Sequence, residues 1–337
     1  MAADPPRRQP TLDEVAERAG VSRSAASRAI NQAPHVSRAT RAAVERAVKE
    51  LGYQPNRTAR ALATQQTGIV ALAVSHDAPE LFADPFFAQV IVGVSAALED
   101  TELHLVLCLA SSGRGQTRLT NLLRTRGVDG IMLMALRGDD PLTRIVRQAG
   151  LPAVYGGRPL NFEPQWYVDS DNVGGARLAT EHLIGLGRTR IVTISGQTGT
   201  EVGEARYRGY REAMIMAGLI PYGMAEGDFT EAGGAAAMKT LLDSHPDLDA
   251  VVAANDNMAA GALRVLAESG RSVPADVAVV GFDDLDVAER TQPPLTTVHQ
   301  SIQALGKEMT RMLIDLIAGR ERTSLILPTR LVVRDSA

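Results

Sequence analysis

The stretch Ala16-Glu17-Arg18-Ala19-Gly20-Val21-Ser22-Arg23-Ser24-Ala25-Ala26-Ser27-Arg28 reads as the junction of two short helices. Just upstream, Leu12, Val15, Ala16 and Ala19 fall on one helical face. Thr11 and Glu14 have capping-box spacing: the hydroxyl takes an amide of the first turn and the carboxylate reaches back to the cap. Gly20 supplies the left-handed residue that ends the helix, and Val21 fills the angle between the two helices. Ser22 caps a second helix with Ala26, Ala29 and Ile30 facing inward and Arg23, Ser24, Ser27 and Arg28 facing out. A second helix this short, polar on its outer side, suits a DNA major groove.

The pattern extends through residues 37–63. Ser37 caps a third helix whose buried stripe is Val44, Ala47, Val48 and Leu51, and Gly52 and Pro55 stop it. Residues 56–63 read as one more short, Asn-capped helix, followed by polar Thr64-Gln65-Gln66-Thr67. The words Thr11-Leu12-Asp13-Glu14-Val15-Ala16, Ala19-Gly20-Val21-Ser22, Ser27-Arg28, Gly52-Tyr53-Gln54-Pro55-Asn56 and Ala59-Arg60-Ala61-Leu62 closely resemble the headpiece and hinge of the lactose-repressor (LacI/GalR) family of transcription regulators.

Charge separates the same segment from the rest. Residues 1–66 carry 11 Arg and Lys against 6 Asp and Glu, a net of +5, whereas residues 67–337 carry 24 against 33, a net of -9. A basic end on an acidic body is laid out to bind a polyanion with one end only. No apolar run approaches the ~20 residues needed to cross a bilayer, and the Pro- and Arg-rich start is unlike a signal peptide. A single cysteine, Cys108, excludes an internal disulfide framework and fits a cytoplasmic protein. The six histidines lack metal-ligand spacing, and neither a metal nor a cofactor is expected.

The body alternates apolar strand runs with helical patterns. Strands are expected over 69–74, 103–109, 130–134, 153–155, 191–194, 250–253 and 277–280. Helices are expected over 86–99, 117–126, 142–148, 174–186, 203–217, 231–242, 257–268 and 302–317. Such alternation means parallel sheets covered on both faces, and the number of units favours two doubly wound lobes with a cleft between them. The family resemblance continues here in Arg126-Gly127-Val128-Asp129-Gly130-Ile131, Glu181-His182-Leu183 with Leu186-Gly187, and Ala254-Asn255-Asp256-Asn257-Met258-Ala259. It runs on through residues 273–284 and Pro293-Pro294-Leu295-Thr296-Thr297-Val298-His299-Gln300. It implies a two-lobed core of the periplasmic-binding-protein type I fold, with three crossovers and effector held in the cleft. The expected division is a disordered 1–10, a helix-turn-helix domain over 11–55, a hinge helix and linker over 56–66, and an effector-binding and dimerisation domain over 67–337. The family's tetramer-forming leucine heptads do not follow Leu331-Val332-Val333, so a homodimer is expected.

For DNA, the resemblance assigns the base edges to the first residues of the second helix, here Arg23 and Ser24, with Arg28 one turn on. Arginine's fork matches guanine O6 and N7, and serine is an undemanding partner. Thr11, Ser22, Ser27, Asn31 and His35 carry short donors fit for phosphates. The family's usual Thr-Val pair is Ala25-Ala26 here, which removes a hydroxyl and shrinks an apolar contact. By the same resemblance, Asn56, Arg57, Arg60 and Leu62 belong to a hinge that enters the minor groove, where Leu62 wedges a base step.

Ligands of open α/β sheets bind beyond the carboxyl ends of the strands. Ser75, His76 and Asp77 stand there after the first strand, Asn255 and Asp256 after the 250–253 strand, and Asp283 and Asp284 after the 277–280 strand. Arg206 falls in the first turn of the 203–217 helix. Arg206, Asn255, Asp256 and Asp283 match family positions that bind effector or hold the pocket, and a buried guanidinium among acceptors can clamp neighbouring hydroxyls. Asp256 reads equally as the N-cap of its helix. Phe82, Phe86, Phe87, Phe162, Phe229, Phe282 and Trp166 are the available platforms for an apolar sugar face or planar base, with Phe86 and Phe229 preferred. Segment 75–87 is longer than the family norm, and Gly156-Gly157-Arg158 replaces an acidic or aromatic pocket residue of some members.

These features describe a repressor of a palindromic double-stranded operator, controlled by a small molecule, with a carbohydrate inducer as the leading subtype. A corepressor-dependent sensor of a purine-like metabolite is the alternative. A solute-binding receptor would need an export signal and no headpiece. An enzyme would need a phosphate loop, nucleophile elbow or zinc-ligand motif, none of which is present.

Overall fold

The computed structural model describes residues 10–31, 35–54, 66–75, 84–138 and 140–337. Asn56, Arg57, Arg60 and Leu62 of the expected hinge, residues 1–9 of the expected tail, and His76, Asp77 and Phe82 lie outside the described residues. The chain forms two compact units, residues 1–67 and 68–337.

The first unit is built from α1 (Leu12–Ala19), α2 (Arg23–Ile30) and α3 (Arg38–Leu51). Each helix is started by the side chain the sequence offers. Thr11 Oγ1 accepts from the Glu14 amide at 3.3 Å while the Thr11 amide donates to Glu14 Oε2 at 2.7 Å, closing the capping box. Ser22 and Ser37 accept from the amides of Ala25 and Thr40 at 3.2 and 3.1 Å. Gly20 and Gly52 end α1 and α3 at φ 67° and 63°, the left-handed region where a side chain is strained. Val15, Ala16, Ala26, Ala29, Val44 and Ala47 form the core, closed by Leu12, Val21, Ile30, Val48, Leu51 and Tyr53. Arg18 ties α1 to Glu50 of α3 through a 2.7 Å bond.

The second unit holds two six-stranded sheets. The first contains β1 (Ile69–Val74), β2 (His104–Leu109), β3 (Gly130–Met134), β4 (Ala153–Gly156), β5 (Tyr167–Ser170) and β11 (Leu325–Leu327), in the order β2-β1-β3-β4-β5-β11. The second contains β6 (Ile191–Ser195), β7 (Gly223–Glu226), β8 (Ala250–Ala253), β9 (Ala278–Asp283), β10 (Thr296–Gln300) and β12 (Thr329–Val332), in the order β7-β6-β8-β9-β10-β12. Every pairing is parallel except β10 with β12. The chain passes between sheets after β5, after β10 and after β11, which gives the three expected crossovers.

Burial on both faces explains the continuous apolar runs of the central strands. Val70, Leu72 and Val74 of β1 enter one core and Ala71 and Ala73 enter the other. The first sheet is covered by α4 (Pro85–Leu98), α5 (Gly113–Arg124), α6 (Pro141–Ala149) and α12 (Ile302–Ile317). The second is covered by α7 (Asn172–Gly185), α8 (Glu201–Met216), α9 (Glu231–Ser244), α10 (Asp256–Glu268) and the short α11 (Asp286–Arg290). Helices α4 and α12 touch backbone to backbone, because a Cβ on Gly93 would overlap the Gln303 carbonyl and one on Gly306 the Val90 carbonyl. Near the carboxyl end, Ser336 is buried, taking the Thr296 amide at 2.8 Å and donating to the Val279 carbonyl at 2.6 Å.

Several boundaries differ from expectation. Helices α5, α7, α8 and α10 begin before their apolar stripes, at the points where Ser112, Asp171, Thr200 and Asn255 cap them. Strands β5, β7, β10, β11 and β12 are absent from the sequence reading. Three of them lie at sheet edges, and β5 and β10 carry Asp169, Ser170, Thr296, Thr297 and Gln300, so no apolar run marks them.

Candidate functional site

On the headpiece, Arg23, Ser24 and Arg28 are exposed along α2 and Ser27 is half-buried. Arg23 Nε lies 3.4 Å from Asp13 Oδ1, with both side chains in solvent. Such a pair contributes little, so a phosphate or guanine can take its place. Ser24 and Ser22 hydroxyls are 3.1 Å apart, and the Asn31 amide is 3.4 Å from the Ser27 hydroxyl. Thr11 and Ser22 spend their oxygens on caps. His35 is exposed, at φ 71°. Ala26 is wholly buried in the headpiece core, facing inward as the sequence implies, so its small side chain bears on packing, and Ala25 beside it is half-buried.

In the body, the carboxyl ends of both sheets converge on one cluster. Arg206, on α8, is buried and donates from Nε to Asn172 Oδ1 at 2.9 Å and from Nη1 to Asp283 Oδ1 at 3.1 Å, with the Ala254 carbonyl as a further acceptor. Its guanidinium lies 3.6 Å from the centre of the Phe282 ring, close enough for a cation–π contact. Asp283 also accepts from Gln300 Nε2 at 2.6 Å. Burial pushes the Asp283 carboxyl up to about 6 against the pull of Arg206, with Asp84 of the other lobe adding to the rise. Burial likewise lowers the Arg206 guanidinium, which remains a cation because arginine does not lose its proton in proteins.

The partners of Asn255 and Asp256 separate their roles. Asn255 caps α10 through the Met258 amide at 2.9 Å and donates to the Phe229 carbonyl at 2.9 Å. The cap weighed for Asp256 therefore belongs to Asn255. Asp256 is fully buried; one oxygen takes the Thr297 hydroxyl and the other the Leu285 amide at 2.8 Å, and burial raises its carboxyl well above the usual range. Both oxygens are engaged in joining α10, β10 and the turn after β9, which is a role in holding the lobe.

Phe229, half-buried at φ 67°, lays its ring against Gly196, where a Cβ would overlap it. Phe86 starts α4 half-buried, edge-on to Phe87 at 5.4 Å. Ser75 is half-buried just beyond β1, its amide 3.4 Å from the Met134 carbonyl. Trp166 does not join them: it lines a groove with Leu151, Pro152, Leu316 and Arg320 at the opposite end of the first sheet. Phe162 packs on Tyr155 at 5.4 Å beneath Arg147.

Arg158, marked in the sequence as a departure at a pocket position, completes the cleft with Asp169 and Glu201, which the sequence did not single out. Arg158 donates to Asp169 Oδ2 at 3.0 Å and lies 3.6 Å from Glu201 of the other lobe. Asp169 Oδ1 accepts from the Ser170 amide at 2.8 Å and from Asn172 at 3.1 Å. The Gly138 amide donates across to the Gly199 carbonyl at 2.8 Å. Reading β5 as a strand would have pointed to Asp169 at its carboxyl end. Among the described residues, no group of His, Cys, Asp and Glu is placed to hold a metal ion, and no helix is long and apolar enough to cross a membrane.

Residues 11–56 match the model of bacterial regulatory proteins of the lacI family, and residues 180–337 match that of a periplasmic binding protein-like domain. The chain is 50% identical to the HTH-type transcriptional regulator CelR of Thermobifida fusca, over 98% of this chain and 99% of that protein. It is 38% identical to the ribose operon repressor of Escherichia coli K12, over 91% and 93% of the two chains. Among solved structures, a CelR–cellobiose complex is 49% identical, covers 98% of this chain and 100% of that one, and superposes with a TM-score of 0.78. The lac repressor dimer bound to operator and the anti-inducer ONPF is 31% identical, covers 98% and 99%, and superposes at 0.83. These relatives are DNA-binding regulators and not enzymes, and the family acts as operator-bound dimers that answer to small molecules such as sugars. With headpiece and body both matched at this level, the chain belongs to the lacI family of bacterial transcriptional regulators.

Proposed function

We propose that this regulator is a cytoplasmic repressor whose inducer is cellobiose or a closely related short glucoside. The observation that carries the reading is the likeness, over nearly the whole chain, to a regulator solved with cellobiose. The cleft is consistent with it: Arg206, fixed by Asn172 and Asp283, presents donors to vicinal hydroxyls, and Phe229 and Phe86 offer faces for sugar rings. In this reading Arg23, Ser24 and Arg28 meet bases, and Thr11, Ser22, Ser27, Asn31 and His35 meet phosphates. Ser75, Asn255 and Asp283 border the effector, and Asp256 supports it from behind. Residues 56–66, with Asn56, Arg57, Arg60 and Leu62, carry the signal between the two units.

Anisotropy of labelled DNA from the regulator's own upstream region, titrated at fixed salt, tests this reading. Affinity that falls on adding cellobiose supports it. Unchanged affinity with cellobiose, and a rise with a purine base, would make the chain a purine-dependent corepressor system instead.

A further inference from the structure

Glu201 Oε2 is shut off from solvent and has no hydrogen-bond partner among the described residues. Glu201 is the first residue of α8, whose cap, Thr200, takes the Gly203 amide at 3.2 Å and so fixes where the carboxylate stands. The other oxygen, Oε1, lies 3.6 Å from Arg158 and 3.7 Å from Arg208. Arg158 belongs to the first lobe, where Asp169 anchors it. A row of charges therefore runs from Asp169 through Arg158 across the cleft to Glu201, and its last oxygen is left over.

The charge balance around this row is also uneven. Asp84, Asp169, Glu201 and Asp283 stand around it with Arg158, Arg206 and Arg208, four carboxylates to three guanidiniums. Burial raises the carboxyls of both Asp169 and Glu201, and in the case of Glu201 the neighbouring Asp169 adds to the rise. In a water-poor cleft such a surplus repels a phosphate or carboxylate and leaves acceptors facing hydroxyl donors. A buried carboxylate oxygen without a donor is costly, and a ligand hydroxyl relieves that cost.

We propose that Glu201 is a specificity-determining residue of the effector cleft. Its free Oε2 accepts a hydroxyl of an uncharged saccharide while Oε1 ties the second lobe to Arg158, so that the cleft admits neutral sugars and turns away phosphorylated ones. The assignment rests on the sugar-effector reading above and adds to it the selection against charge.

Isothermal titration of the full-length protein with cellobiose and with its 6′-phosphate tests it, using wild type, Glu201→Gln and Arg158→Gln. Wild type takes cellobiose and discriminates against the phosphate. Glu201→Gln loses about tenfold or more in cellobiose affinity, the loss of one hydrogen bond to a charged group, and its discrimination narrows. Arg158→Gln weakens cellobiose binding but keeps the preference for the neutral sugar, a split that a general loosening of the fold does not produce. A wild-type far-UV circular dichroism spectrum and a cooperative thermal melt in both variants report intact folding. If Glu201→Gln fails that check, Glu201→Asp, which withdraws the oxygen by one methylene, replaces it with the same expected loss. Wild-type cellobiose affinity or undiminished discrimination in the folded variant overturns the assignment and leaves the sugar-effector reading standing. A wild-type protein that takes neither cellobiose nor glucose overturns both.

Discussion

Arg206 carries its charge where water does not reach, and Asn172, Asp283 and Ala254 share its donors while Phe282 lies against its face. Planarity matters here, because a forked cation can hold two acceptors and still offer an edge to a ligand. Arg206→Lys should therefore lose about 10- to 100-fold in effector affinity, read by titration calorimetry, with little change in operator binding. Asp283 brings a pH dependence. Its carboxyl titrates at about 6 in the folded protein, against an ordinary value of about 4. Between those values the folded state holds the proton more firmly than the unfolded state. This group's contribution to stability therefore rises as pH falls through 6 toward 4. Effector affinity should move the other way, because a neutral Asp283 no longer balances Arg206. Parallel thermal melts and cellobiose titrations between pH 7.5 and 5 check both signs, and affinity that is flat across pH 6 would remove Asp283 from the binding chemistry.

At the scale of elements, the contact of α4 with α12 depends on Gly93 and Gly306, whose missing side chains let two backbones meet. Gly306→Ala should cost about 1–3 kcal/mol through the overlap with the Val90 carbonyl. The midpoint of the body's unfolding in urea should fall while the headpiece is untouched. The sequence made the central strands legible because parallel strands buried on both faces must be apolar throughout. It hid β5 and β10 because their carboxyl ends carry the polar residues that face the cleft, the same residues that give the site its chemistry. Arg206, Asn255 and Asp283 were legible by their places beyond strands or on a helix start. Arg158 was marked only as a departure from the family at a pocket position, and Asp169 and Glu201 were not marked at all, because what makes the three notable is a meeting across two lobes that no local pattern records. Asp256 shows the converse case: its position suggested a cap or a ligand contact, and its burial between Thr297 and Leu285 shows a brace.

For the whole molecule, binding at the cleft and binding at the operator must be reciprocal if one equilibrium links them. Whatever factor cellobiose takes from operator affinity, saturating operator DNA should take from cellobiose affinity, typically 5- to 150-fold. Titrating cellobiose into protein with and without operator measures this, and unequal factors would mean that the two sites do not report on a shared pair of states. The two lobes are strung on three crossings, after β5, β10 and β11, and Asp169 to Asn172 and Gln300 sit at the first two of them.

The order of segments in that threading also sets a timetable for synthesis. The helices of the first unit are complete by Leu51, whereas the core of the first lobe waits for Met309 and Leu313 of α12, and the second lobe waits for β12 and Ser336. Domains fold in order as the chain emerges. A ribosome carrying this message therefore displays a finished DNA-reading module long before either half of the sensor can close. Until α12 is made the first sheet keeps an open apolar face, and until β11 and β12 follow both sheets keep an open edge, a window in which chaperones have most to do.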